Sequence, residues 1–394
     1  MTSQEVKEHK CPACHDGAME VFFQLDAVPS NSCILLETEQ AAREYPKGSI
    51  ELGFCDRCGF ISNTRFDQKL TEYSGRYEET QGYSPTFRAF HEQLARNLIE
   101  RHDLHGKQVV EIGCGKGEFL HMLCAYGDNE GVGFDPSYRE DREQPVRGDN
   151  VSFVKEYFSE ASEVDAADFV ACKMTLEHIP QVRTFIDATR SAVHGEPDSV
   201  IFFQVPEARR ILSECAFEDI YYEHCSYFTP ESLSLLFMNC GFEGITTNIE
   251  YGDQYLTVEA RYGDGQPSAK SVELGELRAL VASFPERVQA VIDRWKEDVV
   301  SRHKRGEKVV LWGSGSKGVS FLTTLGLTDE IDAVVDINPN RQGYFMAGTG
   351  HRIVSPEQLK DIRTDYVIVM NRVYTEEIRQ MLADLGLAPE IAAL

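Results

Sequence analysis

The sequence predicts an α/β protein whose main body is a doubly wound parallel sheet, preceded by a small metal-binding unit and followed by a second, smaller α/β unit. Three observations predict it. Residues 109–117, Val-Val-Glu-Ile-Gly-Cys-Gly-Lys-Gly, read as an apolar strand running into a glycine turn. Strand-like and helix-like segments alternate beyond it, and Lys308-Val-Val-Leu-Trp-Gly-Ser-Gly-Ser-Lys-Gly318 repeats the strand-then-glycine pattern. Such alternation builds parallel sheets that hold ligands at the carboxyl ends of their strands. At 394 residues the chain exceeds one ordinary core. It divides here into residues 1–65, 66–262 and 263–394.

The first unit is defined by Cys11-Pro-Ala-Cys14 and Cys55-Asp-Arg-Cys58, two knuckles that together offer four thiolates to one tetrahedral zinc ion. Four sulfurs leave no open position for water, so the expected role is structural. Gly59 supplies the tight turn after the second knuckle, and a redox role would need a single C-x-x-C beside a βαβ unit. Eleven cysteines, an odd number, favour reduced thiols plus a metal over a disulfide framework, with Cys33 a bystander.

A formal charge of −25 with no evident basic patch argues against nucleic acid as a partner. No apolar stretch approaches membrane-spanning length and the first residues lack signal-peptide character, so a cytoplasmic protein without a membrane partner is expected.

Next comes a helix from Ser84 onward, with Phe87, Phe90, Leu94, Leu98 and Ile99 at three- and four-residue steps. The main sheet then reads as strand 109–112, helix 117–126, strands 131–134 and 169–174, helix 182–192 and strand 200–205. Two further strands, near 246–250 and 255–260, close its edge. Residues 262–269, Tyr-Gly-Asp-Gly-Gln-Pro-Ser-Ala, read as a linker, and 274–303 as one long amphipathic helix. Strands at 308–312, 333–336 and 366–370 make up the last unit.

The first glycine turn specifies a pocket. Gly113, Gly115 and Gly117 let the backbone approach a ligand where a Cβ would clash, and Asp135, about 18 residues on, ends the next strand where it can accept ribose hydroxyls. The spacing is G-x-G-x-G, and Glu111 stands where a pyrophosphate would be repelled. Flanking carboxylates suit a cationic sulfonium, so the expected cofactor is S-adenosylmethionine, and the main sheet is expected to be a class I methyltransferase core. The second turn is a true G-x-G-x-x-G with Asp336 beyond it, which alone would suggest a nicotinamide dinucleotide. The roughly 90 residues left there suit instead a half-sized Rossmann-like unit.

One stretch carries a more specific pattern. Ile220-Tyr221-Tyr222-Glu223-His224-Cys225-Ser226-Tyr227-Phe228 joins Phe66-Asp67 leading to Tyr77, Leu176-Glu177-His178-Ile179, Gly318 after Ser316-Lys317, and Gly348-Thr349 with Ser355-Pro356. With the order of the three units, these motifs resemble the sugar C-methyltransferases that act on nucleotide-linked 4-keto-deoxyhexoses, across nearly the whole chain. The resemblance implies a nucleotide-sugar acceptor and His224 as general base, with Glu223, His178, Tyr221 and Tyr77 around the sugar. The chemistry agrees: a methyl acceptor carbon must lose a proton beside a ketone, and histidine titrates near neutrality. Donors such as His178, Tyr221 and Tyr77 would stabilise the oxygen that gains charge.

Bland readings stand beside these. Tyr221, Tyr222, Tyr227 and Phe228 also read as core aromatics, His178 as a helix entry, His224 with Glu223 as a surface pair, and Arg209 with Arg210 as surface charge rather than a diphosphate site. Tyr251–Tyr255, Met370–Tyr374 and Glu78–Thr80 depart from the deoxysugar enzymes, which widens the acceptor to another sugar nucleotide or ketone. Rival functions are methyl transfer to oxygen or nitrogen, and a binding or scaffold protein.

Overall fold

The first cysteine pair lies between two antiparallel strands, β1 (His9–Lys10) and β2 (Ala18–Pro29), in a computed structural model that describes residues 9–142, 145–159, 161–162, 167–192, 198–263 and 273–394. After a short helix, α1 (Glu39–Arg43), come β3 (Lys47–Cys55) and β4 (Ile61–Asn63), so the second cysteine pair follows from the end of β3. Phe23, Ile50, Leu52 and Phe54 face inward from β2 and β3. From the sequence, this region shows only Pro29, Pro46 and Gly48 and few helix-length apolar patterns. Register breaks between Val21 and Phe23 and between Leu25 and Val28 interrupt the period-two pattern that would have marked the strands.

Helix α2 (Pro85–His102) starts where the sequence puts it: the Ser84 hydroxyl accepts from the Phe87 N–H at 3.2 Å, and proline occupies the first turn. The main sheet follows with β5 (Gln108–Ile112), α3 (Glu118–Gly127), β6 (Glu130–Phe134), β7 (Val151–Val154), β8 (Phe169–Lys173), α4 (Val182–Ala192) and β9 (Val200–Pro206). Beyond α5 (Ala208–Glu214), the chain sends β10 (Ser226–Tyr227) back to pair with β4 in the first sheet. Then α6 (Pro230–Asn239) leads into the hairpin β11 (Phe242–Glu250) and β12 (Tyr255–Tyr262).

The order β11-β12-β9-β8-β5-β6-β7 has five parallel strands and an antiparallel pair at one edge. This is the class I methyltransferase core. Its strand order reverses between β5 and β8, which opens a crevice at their carboxyl ends. The expected linker lies mostly outside the described residues.

Helix α7 (Gly275–Lys304) runs 30 residues and buries Leu277, Val281, Phe284, Val288, Ile292 and Val299 along one stripe. Phe284 meets Phe22 and Phe23 edge-on, at 6.0 and 5.3 Å between ring centres, so α7 seals the first sheet. The last unit comprises β13 (Val309–Trp312), α8 (Ser316–Leu325), β14 (Ala333–Val335), β15 (Ile353–Val354), β16 (Tyr366–Val369), α9 (Thr375–Asp384) and β17 (Glu390–Ala393). Its sheet is all parallel in the order β15-β14-β13-β16-β17, five strands where the sequence showed three. The unit is Rossmann-like and two-winged; β15 and β17 are too short to show a hydrophobic period. Residues of β2, β3, α5, α7, α8 and this sheet share one apolar cluster. Among the described residues, no helix is long and apolar enough to cross a membrane.

Candidate active site

At the end of β5, Gly113, Gly115 and Gly117 have φ of +68°, +55° and +82°, backbone that L side chains rarely adopt. Space is closed as well: a Cβ at Gly113 would lie 2.0 Å from the Thr175 hydroxyl and one at Gly117 2.5 Å from the Phe153 ring. Asp135 follows β6, and its Oδ2 accepts the Gly115 N–H at 2.9 Å. Its Oδ1 takes the Ser137 N–H and hydroxyl at 2.7 and 2.6 Å. Three of about four acceptor positions on this carboxylate are thus filled, leaving one free for a ligand hydroxyl. Glu111 is 3% exposed, with Oε2 buried and unpartnered, and burial pushes its carboxyl up to about 8.

These groups line one wall of a cavity of about 480 Å³, whose opposite wall carries Tyr73, Tyr77, His178, Tyr221 and His224. The stretch 220–228 reaches this place because it is pinned at its end: β10 pairs with β4, the Cys225 N–H donates to the Glu177 carbonyl at 2.9 Å, and the Ser226 hydroxyl donates to the Ile179 carbonyl at 2.9 Å. The imidazoles of His178 and His224 meet edge to face, 4.9 Å between centres. His224 Nε2 lies 2.9 Å from the Tyr221 hydroxyl and 3.9 Å from Glu177 Oε1, while its buried Nδ1 has no partner. His178 donates from Nδ1 to the Glu223 carbonyl at 3.1 Å, with the Tyr73 hydroxyl 2.9 Å from the same nitrogen. That leaves the His178 Nε2 as an acceptor.

Burial, reinforced by His178, holds His224 well below its ordinary pKa, and burial brings His178 down to about 4. Both rings are neutral at pH 7. Glu177, 1% exposed with neither oxygen hydrogen-bonded, is pushed up by burial to about 8.

The sequence paired Glu223 with its neighbour His224, yet the structure turns the carboxylate away from the cavity. It is fully buried and accepts from the Asn31 amide at 3.2 Å, the Ser32 N–H at 3.0 Å and the Ser32 hydroxyl, with Tyr77 also bonded to it. His224 is buried too, so a surface pair is excluded. The residue that stands beside His224 is Glu177, quoted in the sequence motif but given no role there. Tyr222, Tyr227 and Phe228 are core aromatics; Tyr221 and Tyr77 face the cavity.

A second cavity of about 230 Å³ opens at the second glycine turn and shares Cys33, Thr80, Gln81, Tyr221 and Ser316 with the first. Cys33 lies outside the four-cysteine cluster, as the sequence reading has it, and instead lines both cavities, its Sγ 3.3 Å from the Ser316 hydroxyl. The turn copies the first: the Ser314 N–H donates to Asp336 Oδ2 at 2.9 Å and the Asn338 N–H to Oδ1 at 2.8 Å. Arg210 is buried on this side against Asp219, which also takes Lys317 at 2.7 Å, whereas Arg209 pairs with Glu231. Burial raises the Asp219 carboxyl, but the two cations outweigh it and hold the group at about 2.

The three stretches that depart from the deoxysugar pattern meet at this cavity. The Tyr251 hydroxyl donates to Tyr374 at 2.8 Å, Tyr374 donates to Gln81 at 2.7 Å, and Gln254 and Asn371 exchange amide bonds of 2.8 and 3.0 Å.

Two family descriptions match the chain: residues 86–247 as a methyltransferase domain and residues 270–387 as a C-methyltransferase C-terminal domain. The chain is an S-adenosylmethionine-dependent methyltransferase. The methyltransferase is 25% identical over 392 residues to C-methyltransferase NovU of Streptomyces niveus, spanning 94% of this chain and 91% of that protein. It is 26% identical over 141 residues to ubiquinone biosynthesis O-methyltransferase of Cronobacter sakazakii, 34% of this chain and 57% of that protein. Among solved structures, it is similar to 1,6-didemethyltoxoflavin-N1-methyltransferase of Burkholderia thailandensis, with bound 1,6-didemethyltoxoflavin and S-adenosylhomocysteine. That likeness has a TM-score of 0.36 and 18% identity over 46% of this chain and 84% of the other.

In the first sheet, Cys11, Cys14, Cys55 and Cys58 bring their sulfurs within 4.8 Å of one another. Sγ–Sγ separations of 3.6 Å for Cys11–Cys58 and 3.8 Å for Cys14–Cys55 match the ~3.8 Å edge of a tetrahedron with 2.3 Å zinc–sulfur bonds. The donor set fits a closed structural zinc site.

Proposed function

We propose that the enzyme transfers the methyl group to a carbon beside a ketone, on a nucleotide-linked keto-deoxysugar, with His224 as general base. The observation that carries this reading is a neutral, buried imidazole in the wall of the same cavity that the first glycine turn lines. Bound there by Gly113, Gly115, Gly117, Asp135 and Glu111, S-adenosylmethionine supplies an electrophilic methyl. The chain's own residues do the rest. His224 accepts the proton from the acceptor carbon and holds it as an imidazolium, with Glu177 Oε1 3.9 Å away as the nearest carboxyl oxygen. Of the three donors expected from the sequence, Tyr221 is the one left for the oxygen that gains charge, because His178 presents Nε2 as an acceptor and the Tyr77 hydroxyl is bonded to Glu223. Glu223, tied to Asn31 and Ser32, holds the segment that carries His224.

The run of one cavity into the next supports a long acceptor, its reacting carbon near His224 and its far end near Lys317 and the second turn. NovU, a C-methyltransferase by name, and the C-methyltransferase C-terminal match support carbon as the target. Transfer to oxygen is the second reading, favoured by the ubiquinone O-methyltransferase, whose likeness covers only 34% of the chain. We assign zinc to the four cysteines on the same footing.

The test uses a nucleotide-linked 4-keto-6-deoxyhexose in deuterated water. The wild-type enzyme with S-adenosylhomocysteine is expected to wash deuterium into the carbon beside the ketone. His224→Gln is expected to lose this exchange and methylation together, by about 100-fold or more, while still binding S-adenosylhomocysteine. Exchange and methylation at wild-type rates in the variant would remove His224 as the base.

A further inference from the structure

The chain between the first sheet and α2 carries Tyr73, a residue with no role in the sequence motifs. Asn31 fixes its place: the Asn31 Oδ1 accepts the Glu72 N–H at 2.8 Å, and the Asn31 amide donates to the Glu72 carbonyl at 3.1 Å. The same amide donates to Glu223, so one side chain pins both this segment and the one that carries His224. The Tyr73 ring packs edge-on against Tyr77 and His178, 5.2 and 5.7 Å between ring centres, and lines the larger cavity together with both histidines.

The Tyr73 hydroxyl has one hydrogen-bond contact among the described residues, the His178 Nδ1 at 2.9 Å. That nitrogen also lies 3.1 Å from the Glu223 carbonyl, which can only accept, so Nδ1 carries a hydrogen. A protonated Nδ1 cannot accept from Tyr73. The phenol oxygen is therefore on the receiving side of this contact, and its own hydrogen has no acceptor among the described residues. Burial, and then Glu223, hold the phenol well above its ordinary pKa, so that hydrogen stays on oxygen through the neutral range. A donor held in a cavity wall without an acceptor is costly unless a ligand oxygen meets it.

We infer that Tyr73 donates to the ketone oxygen of the acceptor, as a second catalytic donor beside Tyr221. The inference rests on the proposed carbon chemistry. When the C–H bond beside the ketone breaks, its proton goes to His224 and its electron pair forms the carbon–carbon double bond of the enolate, while the carbonyl pair moves onto oxygen. Tyr73 and Tyr221 then meet a negative charge where they had met a dipole, so their hydrogen bonds strengthen as the barrier is crossed. Tyr73 keeps its own proton throughout.

The test follows the bound ketone directly. A nucleotide-linked 4-keto-6-deoxyhexose labelled with ¹³C at the ketone carbon is added to the full-length enzyme with S-adenosylhomocysteine. Its carbonyl stretch is read by infrared difference spectroscopy, alongside deuterium exchange at the neighbouring carbon. In Tyr73→Phe the band is expected to move to higher frequency, and exchange and kcat to fall by about 100-fold, the usual cost of one lost oxyanion donor, with KM and S-adenosylhomocysteine affinity little changed. Replacing Tyr73 by 3-fluorotyrosine keeps the shape of the side chain and makes it a stronger donor, so the band is expected to move to lower frequency. That second variant keeps the question answerable should Tyr73→Phe fold poorly. A band that stays in place in both variants, or exchange at the wild-type rate in Tyr73→Phe, would overturn the inference. A wild type that binds the ketone but exchanges no deuterium would instead overturn the proposed carbon chemistry.

Discussion

His224 sits among groups that resist charge: Glu177 without a hydrogen bond, His178 edge-on, and the Tyr221 hydroxyl at 2.9 Å. Its folded-state pKa lies well below the ordinary 6.5, so the imidazole stays neutral as pH falls past 6.5. The same shift contributes stability that is present above 6.5 and is lost as pH falls through the folded value. Glu177, raised to about 8, is largely protonated across the neutral range. The profile of kcat/KM against pH is therefore expected to stay flat from about 6.5 to near 8, with its acid limb below 6.5. An acid limb at 7 or above would contradict a neutral, buried histidine. The glycines, cysteines and the 176–179 and 220–228 motifs were legible because they are local. The direction of Glu223 was not, since its partners Asn31 and Ser32 lie 192 and 191 residues away.

At the scale of elements, the two cysteine knuckles stand on a sheet that also supports the cavity wall. Its β4 pairs with β10, and β10 follows the His224 segment by a single residue. A metal-free first sheet would thus loosen the wall of the cavity. The purified protein is expected to hold close to one zinc ion per chain, and removing it with a chelator should lower the melting temperature and slow methylation together. Elemental analysis that finds no tightly held metal would contradict this. The helices 85–102 and 275–304 and the parallel strands β5, β6, β8 and β9 could be read from apolar periodicity and caps. Strands β2 and β3 were hidden by register breaks. Strands β7, β15 and β17 span four residues or fewer, too short to separate a strand from any apolar loop.

Across the whole molecule, the two Rossmann-like sheets turn their glycine loops toward a shared space, and the first sheet and α7 pack into the same core as the last unit. Asp219 ties Arg210 of α5 to Lys317 of α8 and fixes one side of that space. An acceptor long enough to touch both glycine loops would place one end beside His224 and the other beside Lys317. Carbon methylation within that arrangement is the central claim. It is tested by supplying S-adenosylmethionine labelled with ¹³C at the methyl, together with a uniformly ¹³C-labelled nucleotide-linked 4-keto-6-deoxyhexose, and recording the carbon spectrum of the product. The expected result is a new methyl resonance split by a directly bonded sugar carbon beside the ketone. A methyl resonance at the methoxy position, coupled to the sugar only through oxygen, would contradict it.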